Sequence, residues 1–220
     1  MEPTARKYLF FDLDGTLTDS MPGIARAVQY ALRRFGIDVQ DLAALKPFLG
    51  PPLRDSFMEF YGMSPEEADR AVAVSREYFV PRGMFENELY PGIPELLAAT
   101  AAAGRVNVIA TSKPQPFAER IAAHFGIDHH FRLISGSTFD GRRKTKADVI
   151  RHALSTLGID PGEAVMIGDR RHDIEGAAEE GLPAIAVEWG YAPPGELEAA
   201  RPVRIVPDVE TLRRLLLGNE

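Results

Sequence analysis

Short apolar runs alternate with helical patterns along the chain from about residue 87 onward. The apolar runs lie in RVNVIATSKP, HHFRLISGS, AVMIGD and LPAIAVEWG, and the helical patterns include IPELLAATAAAG, QPFAERIAAHFG, TKADVIRHALSTLG and VETLRRLLLG. Such alternation is typical of parallel strands joined by crossover helices, because parallel neighbours need a long connection. We therefore predict an α/β protein with a doubly wound parallel sheet and helices on both faces.

Residues 17–86 differ from the rest of the chain because their apolar residues follow helical spacing, without alternating strand-like runs. The segment PGIARAVQYALRRFG keeps an apolar stripe at helical spacing, formed by Ile24, Ala27, Val28, Ala31, Leu32 and Phe35. Further on, Ser64-Pro65-Glu66-Glu67 is a capping box with proline at the first helical position, which predicts a helix through about Tyr78. We predict a core domain of residues 1–16 and 87–220, with residues 17–86 inserted as a helical domain.

The first apolar run ends directly in carboxylates, in YLFFDLDGTLTDS at residues 8–20. Ligands of a doubly wound sheet lie beyond the carboxyl ends of its strands, which is where Asp12 and Asp14 are expected. Two carboxylates there repel each other unless a cation lies between them, and hard oxygen ligands favour Mg²⁺. A surface turn is the alternative for an isolated DxDG. An EF-hand fits poorly, because Thr16, Leu17 and Gly23 occupy positions where that loop needs other residues.

Polar side chains follow or neighbour three further apolar runs. Thr111 and Ser112 come after VNVIA, and either could be the strand-end hydroxyl. Lys146 is the last residue of GRRKTK, with Lys144 as its rival. Asp169 and Asp173 lie in AVMIGDRRHDIEGA, where Asp173 could instead be an ordinary acid in the first turn of a helix.

In this order, DxDGT, a strand-end Thr, a lone Lys and GDxxxD resemble the four motifs of the haloacid dehalogenase superfamily. The resemblance covers essentially the whole chain and implies a Rossmann-like core. The helical insertion after the first motif resembles that family's C1-type cap, found in phosphoglycolate phosphatases and β-phosphoglucomutases. The segments FLGPPLRDSF and DLDGTLTDSMPGIARAVQYAL look nearest to its phosphoglycolate phosphatase and 5′-nucleotidase group.

Phosphoryl transfer needs charge neutralisation and a nucleophile that can be regenerated. We expect Asp12 to be the nucleophile that forms an aspartyl-phosphate, and Asp14 to be the general acid and base, as in the family's phosphatases. Thr111 and Lys146 complete the expected catalytic set. The expected metal ligands for Mg²⁺ are Asp12, Asp14 through its backbone carbonyl, Asp169 and Asp173, of which the Asp14 carbonyl is implied by the resemblance. The expected substrate-binding residues are Gly15, Thr16, Ser112, Lys113 and Arg54.

Substrate choice is expected to come from the cap, and KPFLGPPLRDSF is its informative segment. Gly50-Pro51-Pro52 predicts a rigid bend before a helix whose first turn carries Arg54, an arrangement suited to binding anions. We hypothesise that Arg54 reaches the leaving group's carboxylate or the phosphate. The alternative is a surface ion pair with Asp55 or Glu59. Phe48, Phe57 and Tyr61 could stack on a nucleobase, although their helical spacing is typical of cap core.

Composition limits the binding partners, cellular location and metal sites that we expect. The formal net charge of −7 argues against a nucleic-acid polymer or an acidic membrane as partner, and the short basic run GRRKTK does not change this. Without an 18-residue apolar stretch or a signal peptide, we expect a soluble, cytoplasmic protein, monomeric or homodimeric. The absence of cysteine excludes disulfides and thiolate metal sites.

We therefore expect a Mg²⁺-dependent phosphomonoester hydrolase that acts on a small phosphorylated metabolite and resembles phosphoglycolate phosphatases. A 5′-nucleotidase is the alternative, followed by a sugar phosphomutase, which would keep the same core motifs. A non-catalytic binding protein is disfavoured because Asp12, Asp14, Lys146 and Asp169 are all present. A dinucleotide-binding protein is disfavoured because the first strand leads into DGTLT and lacks G-x-G-x-x-G.

Overall fold

The structure is a computed structural model that describes residues 6–218. The strands are β1 (Tyr8–Phe11), β2 (Thr18–Asp19), β3 (Glu88–Leu89), β4 (Val106–Pro114), β5 (Phe131–Ser137), β6 (Ala164–Gly168), β7 (Ala184–Val187) and β8 (Arg204–Val206). The α-helices are α1 (Met21–Arg34), α2 (Leu53–Tyr61), α3 (Pro65–Phe79), α4 (Ile93–Ala102), α5 (Gln115–His124), α6 (Lys146–Leu157), α7 (Arg171–Glu179), α8 (Glu196–Ala200) and α9 (Val209–Leu217).

Six strands form one sheet in the order β5-β4-β1-β6-β7-β8, and neighbouring strands pair in parallel. Helices connect successive strands and flank the sheet, so the predicted α/β, Rossmann-like fold class is confirmed. The first strand in sequence lies in the middle of the sheet, between β4 and β6. Its carboxyl end is therefore next to the ends of two other strands.

The inner strands β1, β6 and β7 are apolar and buried at almost every position. Phe10 of β1 belongs to one core cluster with residues of β4, β6, α6 and α7, whereas Leu9 and Phe11 are fully buried outside that cluster. Alternate side chains of a strand point to opposite faces, so both faces of β1 are covered. This continuous burial explains why the strand reads as an unbroken apolar run.

The chain divides into two compact units. The first contains residues up to Thr18 together with those from Leu89 onward, and the second spans Asp19–Glu88. The two-stranded sheet of β2 and β3 lies where the chain passes from one unit to the other. These two-residue strands carry no periodic signal, and the sequence did not predict them.

The second unit has its own apolar core. Residues of the predicted α1 stripe, including Val28 and Leu32, are buried in one cluster with Phe48 and Phe57. Helix α3 begins with the predicted capping box: the Ser64 hydroxyl accepts from the Glu67 N–H, and the Glu67 carboxylate accepts from the Ser64 N–H. Helix α2 follows Pro52 as predicted. The cap-core interpretation of Phe48, Phe57 and Tyr61 is thus confirmed.

Two details differ from the sequence prediction. Strand β4 continues through Thr111 and Ser112 to Pro114, because Thr111 still pairs with Gly136 of β5, so these hydroxyl residues lie within the strand rather than after it. The Pro-containing segment PPGELEAARP, for which no helix was predicted, contains the short helix α8. Between residues 6 and 218, no helix combines the length and apolar character that a membrane span needs.

Candidate active site

The register of the central strands brings the predicted polar residues together. Phe11 pairs with Ile109 of β4 and with Ile167 of β6. The Asp12 N–H donates to the Ile167 carbonyl at 2.9 Å, which extends the β1–β6 ladder by one bond. Asp12 therefore lies at the same sheet edge as Thr111 and Asp169, as expected for carboxyl ends of parallel strands.

Lys146 links two of the carboxylates. Its Nζ lies 2.9 Å from Asp12 Oδ1 and 2.7 Å from Asp173 Oδ1, and it also donates to the Ala110 carbonyl at 3.0 Å. The Lys146 side chain is only 3% exposed, so little water screens these contacts. Lys146 reaches the site because it is the first residue of α6, just after the Thr145 cap.

Asp169 is fully buried and held from two directions. Its Oδ2 accepts the Tyr191 N–H at 2.7 Å, and its Oδ1 accepts the Thr16 hydroxyl at 3.2 Å. Two glycines leave room for this carboxylate. A Cβ on Gly15, whose φ is +83°, would lie 2.3 Å from Asp169 Oδ2, and a Cβ on Gly190 would lie 2.3 Å from the Asp169 Cβ. Both positions exclude any larger residue.

Asp14 has a separate cationic partner. Lys113 Nζ lies 2.6 Å from Asp14 Oδ2, with the side chains 5% and 17% exposed. The other oxygen, Asp14 Oδ1, is buried without a hydrogen-bond partner among the described residues. A buried carboxylate oxygen without a partner is costly, which makes it suited to a ligand that brings a proton or a donor.

Burial and crowding of negative charge shift the titration of the site. Burial raises the pKa of Asp12 to about 6, and the Asp173 charge adds to the rise, while Lys146 and a hydrogen bond with Thr111 oppose it. Burial and the charges of Asp173 and Asp12 likewise hold the pKa of Asp169 well above its usual value. Burial alone would lower the pKa of Lys146, but Asp12 and Asp173 raise it, so the ammonium stays charged.

The three buried carboxylates fit a divalent metal ion. Asp12, Asp169 and Asp173 each offer one oxygen, and these oxygens all lie within 4.8 Å of one another. Lys146 supplies one positive charge against three negative ones, which leaves an excess that a divalent cation would neutralise. An all-oxygen set at this spacing matches the preference of Mg²⁺.

The contacts of each side chain distinguish the candidate residues that the sequence left open. Thr111 is the residue whose side chain hydrogen-bonds Asp12, whereas neighbouring Ser112 is only partly buried. Lys146 contacts Asp12, whereas Lys144 is exposed. Asp173 does lie in the first turn of α7, where it accepts the Arg170 N–H at 3.0 Å, but it is also 1% exposed and contacts Lys146, so it belongs to the buried cluster as well as capping the helix.

Arg54 lies in the second unit, in the first turn of α2. Its Nε lies 2.7 Å from Asp69 Oδ1, and the arginine side chain is 41% exposed. Arg54 thus makes a surface ion pair of the kind given as the alternative to substrate binding, and the partner seen is Asp69 of α3, not one of the two acids named from the sequence.

Sequence reasoning missed the segment that follows β7. Besides the Tyr191 N–H, Trp189 Nε1 donates to the Thr16 carbonyl at 3.1 Å, so this segment holds both Asp169 and the loop after β1. Glu196 of α8 was also missed, although it pairs with Arg170 beside Asp169. Backbone donors carry no residue-type signal, and the EWGY tetrapeptide after an apolar run was the available clue.

The family model for haloacid dehalogenase-like hydrolases matches residues 9–187. The chain belongs to the haloacid dehalogenase-like hydrolases. The match spans both units and every strand end described above, so the resemblance expected from the four motifs is confirmed.

Relatives of this haloacid dehalogenase-like hydrolase have several names. A 5′-nucleotidase from Pseudomonas aeruginosa is 46% identical over 98% of this chain and 99% of that protein. The tyrosine-protein kinase PtkA from Mycobacterium tuberculosis is 42% identical over 83% of this chain but only 62% of the kinase. A phosphoglycolate phosphatase from Yersinia pestis is 33% identical over 82% of this chain and 80% of that protein.

Among solved structures, a predicted phosphatase from Clostridium acetobutylicum has a TM-score of 0.94 and 45% identity, covering 97% of this chain and 99% of that one. Family, relatives and fold together identify the chain as a phosphatase of the haloacid dehalogenase class.

Proposed function

We propose that this phosphatase hydrolyses small phosphomonoesters with Mg²⁺, through an aspartyl-phosphate formed on Asp12. The observation that carries the proposal is the contact of Lys146 Nζ with both Asp12 Oδ1 and Asp173 Oδ1, at 2.9 and 2.7 Å, beside buried Asp169. A merely structural site would not collect three carboxylates around one ammonium at the end of a buried strand, because burying unpaired charge is expensive.

Each residue has a role that follows from its contacts. An Asp12 carboxylate oxygen attacks phosphorus, and the bond to the leaving oxygen breaks. Asp14 donates a proton to that oxygen and then takes one from the water that attacks the aspartyl-phosphate. Lys146 offsets negative charge on Asp12 and on the phosphoryl group, and the Thr111 hydroxyl orients Asp12. Lys113 holds Asp14 in place.

Asp12, Asp169 and Asp173 would hold the Mg²⁺, together with the Asp14 backbone carbonyl. The bound ion supplies positive charge that neutralises phosphoryl oxygens during transfer. Thr16 and the Tyr191 N–H keep Asp169 oriented toward this position. Gly15 keeps the loop after β1 close to Asp169, and its own N–H, expected from the sequence to face phosphoryl oxygens, instead donates to the Thr18 carbonyl at 2.8 Å.

We further propose that the helical second unit is a cap that selects the leaving group, with Arg54 as one selecting residue. Arg54 is suited to this because its guanidinium is partly exposed, pairs through Nε with Asp69, and contacts the Met58 sulfur through Nη1. An exposed ion pair contributes little to stability, so exchanging Asp69 for a substrate anion costs little.

Among substrates, we place nucleoside 5′-monophosphates first and 2-phosphoglycolate second. This reverses the order expected from the sequence. The reason is the comparison of relatives: the 5′-nucleotidase is 46% identical over nearly the whole of both chains, against 33% over about four-fifths for the phosphoglycolate phosphatase. Monomeric or homodimeric assembly stays a prediction.

The test is phosphate release, with and without Mg²⁺, from nucleoside 5′-monophosphates, 2-phosphoglycolate, sugar phosphates, pyrophosphate and p-nitrophenyl phosphate. We expect Mg²⁺-dependent turnover with the highest kcat/KM for a nucleoside monophosphate. A highest value for phosphoglycolate would reverse the ranking. Conversion of glucose 1-phosphate to the 6-phosphate without phosphate release would replace the hydrolase by a mutase.

A further inference from the structure

Glu196 forms a two-bond ion pair with Arg170, the residue that directly follows Asp169. Arg170 Nε lies 2.7 Å from Glu196 Oε1, and Arg170 Nη2 lies 3.2 Å from Glu196 Oε2. Glu196 Oε1 also accepts the Arg171 N–H at 3.1 Å. The two side chains are only 10% and 13% exposed, so the pair is shielded from water.

The positive charge of Arg170 opposes cation binding by the metal site that its neighbours form. It lies between Asp169 and Asp173 in sequence, and its own N–H bonds Asp173 Oδ2 at 3.0 Å. A guanidinium that turned toward these carboxylates would form charge-assisted hydrogen bonds with them. It would then compete with a divalent cation for the same oxygens, and even without contact its charge would repel the ion.

We propose that Glu196 is a positioning residue that holds Arg170 away from the metal carboxylates and neutralises its charge, so that Asp169 and Asp173 remain available to Mg²⁺. This inference rests on the proposed Mg²⁺-dependent function. Glu196 restrains Arg170 by binding the segment that follows Asp169 at two points, the Arg170 side chain and the Arg171 backbone N–H. It acts through Arg170 and touches no reacting atom.

The chain offers a matched control for a role that is only structural. Glu180 has a side chain 12% exposed, close to the 13% of Glu196, and it is also paired with an arginine, although its partner Arg151 is 59% exposed whereas Arg170 is 10% exposed. It lies just after α7, away from the Asp169–Asp173 segment in sequence. Losing the Glu180 charge should remove one carboxylate–arginine pair without affecting the metal carboxylates, and should cost no more stability than losing the Glu196 charge.

The experiment compares Mg²⁺ binding by calorimetry in the wild type, Glu196→Gln, Glu180→Gln, Arg170→Met and the double variant Glu196→Gln/Arg170→Met. Glutamine keeps an oxygen for the Arg171 N–H and removes only the charge. We expect Glu196→Gln to weaken Mg²⁺ binding about tenfold, within the range seen when groups behind metal ligands are changed. Glu180→Gln should bind like the wild type, and melting temperatures serve as the stability readout.

The double variant tests whether the effect of Glu196 on Mg²⁺ binding depends on the Arg170 guanidinium. If Glu196 acts through Arg170, the double variant should bind Mg²⁺ within about twofold of Arg170→Met, because no guanidinium is left to restrain. Equal weakening in both backgrounds would overturn the inference, and so would unchanged binding by Glu196→Gln. If Glu196→Gln does not fold, the double variant alone gives the answer: binding tenfold weaker than Arg170→Met overturns it.

The inference and the proposed function fail in different ways. A wild type that binds no Mg²⁺ and hydrolyses no phosphomonoester overturns the proposed function. A wild type that binds Mg²⁺, with a Glu196→Gln variant that binds it equally well, overturns only the role of Glu196.

Discussion

The two units of the molecule bury very different polar groups. In the described part of the chain, the first unit buries ionisable side chains, namely Lys113, Lys146, Asp169, Arg170 and Asp173. The second unit, Asp19–Glu88, buries only uncharged polar residues, namely Ser20, Ser56, Ser75 and Asn87. Its ion pairs, such as Arg54–Asp69 and Arg33–Asp38, are exposed.

This difference indicates that the first unit holds the groups that carry out chemistry, whereas the second unit is arranged for stable apolar packing. Burying a charge costs several kcal/mol even when it is partly compensated, so the first unit bears a cost that a purely structural domain avoids. The second unit depends on apolar packing, and its surface charges are free to exchange partners. We therefore expect changes in the first unit to abolish turnover, and changes in the second to alter stability or substrate choice.

The largest effect is expected from Asp12→Asn. The amide cannot act as the nucleophile, so kcat should fall by about a thousandfold or more, roughly 4 kcal/mol of transition-state stabilisation. The far-ultraviolet circular dichroism should stay unchanged. Asp128→Asn, at an exposed position of the same unit, is the control and should retain wild-type turnover. Activity of Asp12→Asn near the wild-type value would exclude Asp12 as the nucleophile.

Phe57→Ala tests the apolar character of the second unit. Phe57 is fully buried, and its ring centroid lies 5.0 Å from that of Phe48 in an edge-to-face arrangement. Truncation should lower the free energy of unfolding by about 3–5 kcal/mol, measured by urea denaturation. Phe60→Ala, which also contacts Phe48 but is 42% exposed, should cost less than about 1 kcal/mol. Equal losses would contradict a core centred on Phe57.

The buried acids should make Mg²⁺ binding depend on pH. Burial raises the pKa of Asp12 to about 6, so this carboxyl group takes up a proton as the pH falls through that value, and burial also raises the pKa of Asp169 above its usual value. Mg²⁺ needs the ionised form, so its affinity should fall by about tenfold from pH 7 to pH 5. Calorimetry in buffers of different ionisation enthalpy would detect proton release at pH 6. A constant affinity would show that Asp12 stays ionised throughout.

The smallest effect is expected from Arg54→Ala in the second unit. If Arg54 binds the leaving group or the phosphate, kcat/KM on the best substrate should fall about fivefold, roughly 1 kcal/mol, while the chemical groups of the first unit stay intact. Asp69→Asn removes the partner of Arg54 but keeps the arginine, and should leave kcat/KM unchanged or higher. An Arg54→Ala variant with wild-type kcat/KM would remove Arg54 from the selecting residues.

Local patterns predicted most of the fold. The α1 stripe, the capping box of α3 and the apolar runs of β1, β6 and β7 each depend on neighbours in sequence, and the structure contains all of them. The prediction was less successful where strands are very short or continue by pairing. Strands β2 and β3 have two residues each, and β4 extends to Pro114 only because β5 pairs with it.

The sequence by itself determined the α/β fold and the order of polar residues at the strand ends through apolar periodicity and residue types, and it indicated the family through the resemblance of its four motifs. Only the tertiary structure decided that Thr111 and Lys146 contact Asp12, and that Arg54 pairs with Asp69. It alone also brought the Tyr191 N–H to Asp169 and Glu196 to Arg170, across 22 and 26 residues. Such contacts depend on sheet register and on backbone donors that every non-proline residue carries, so no local pattern records them.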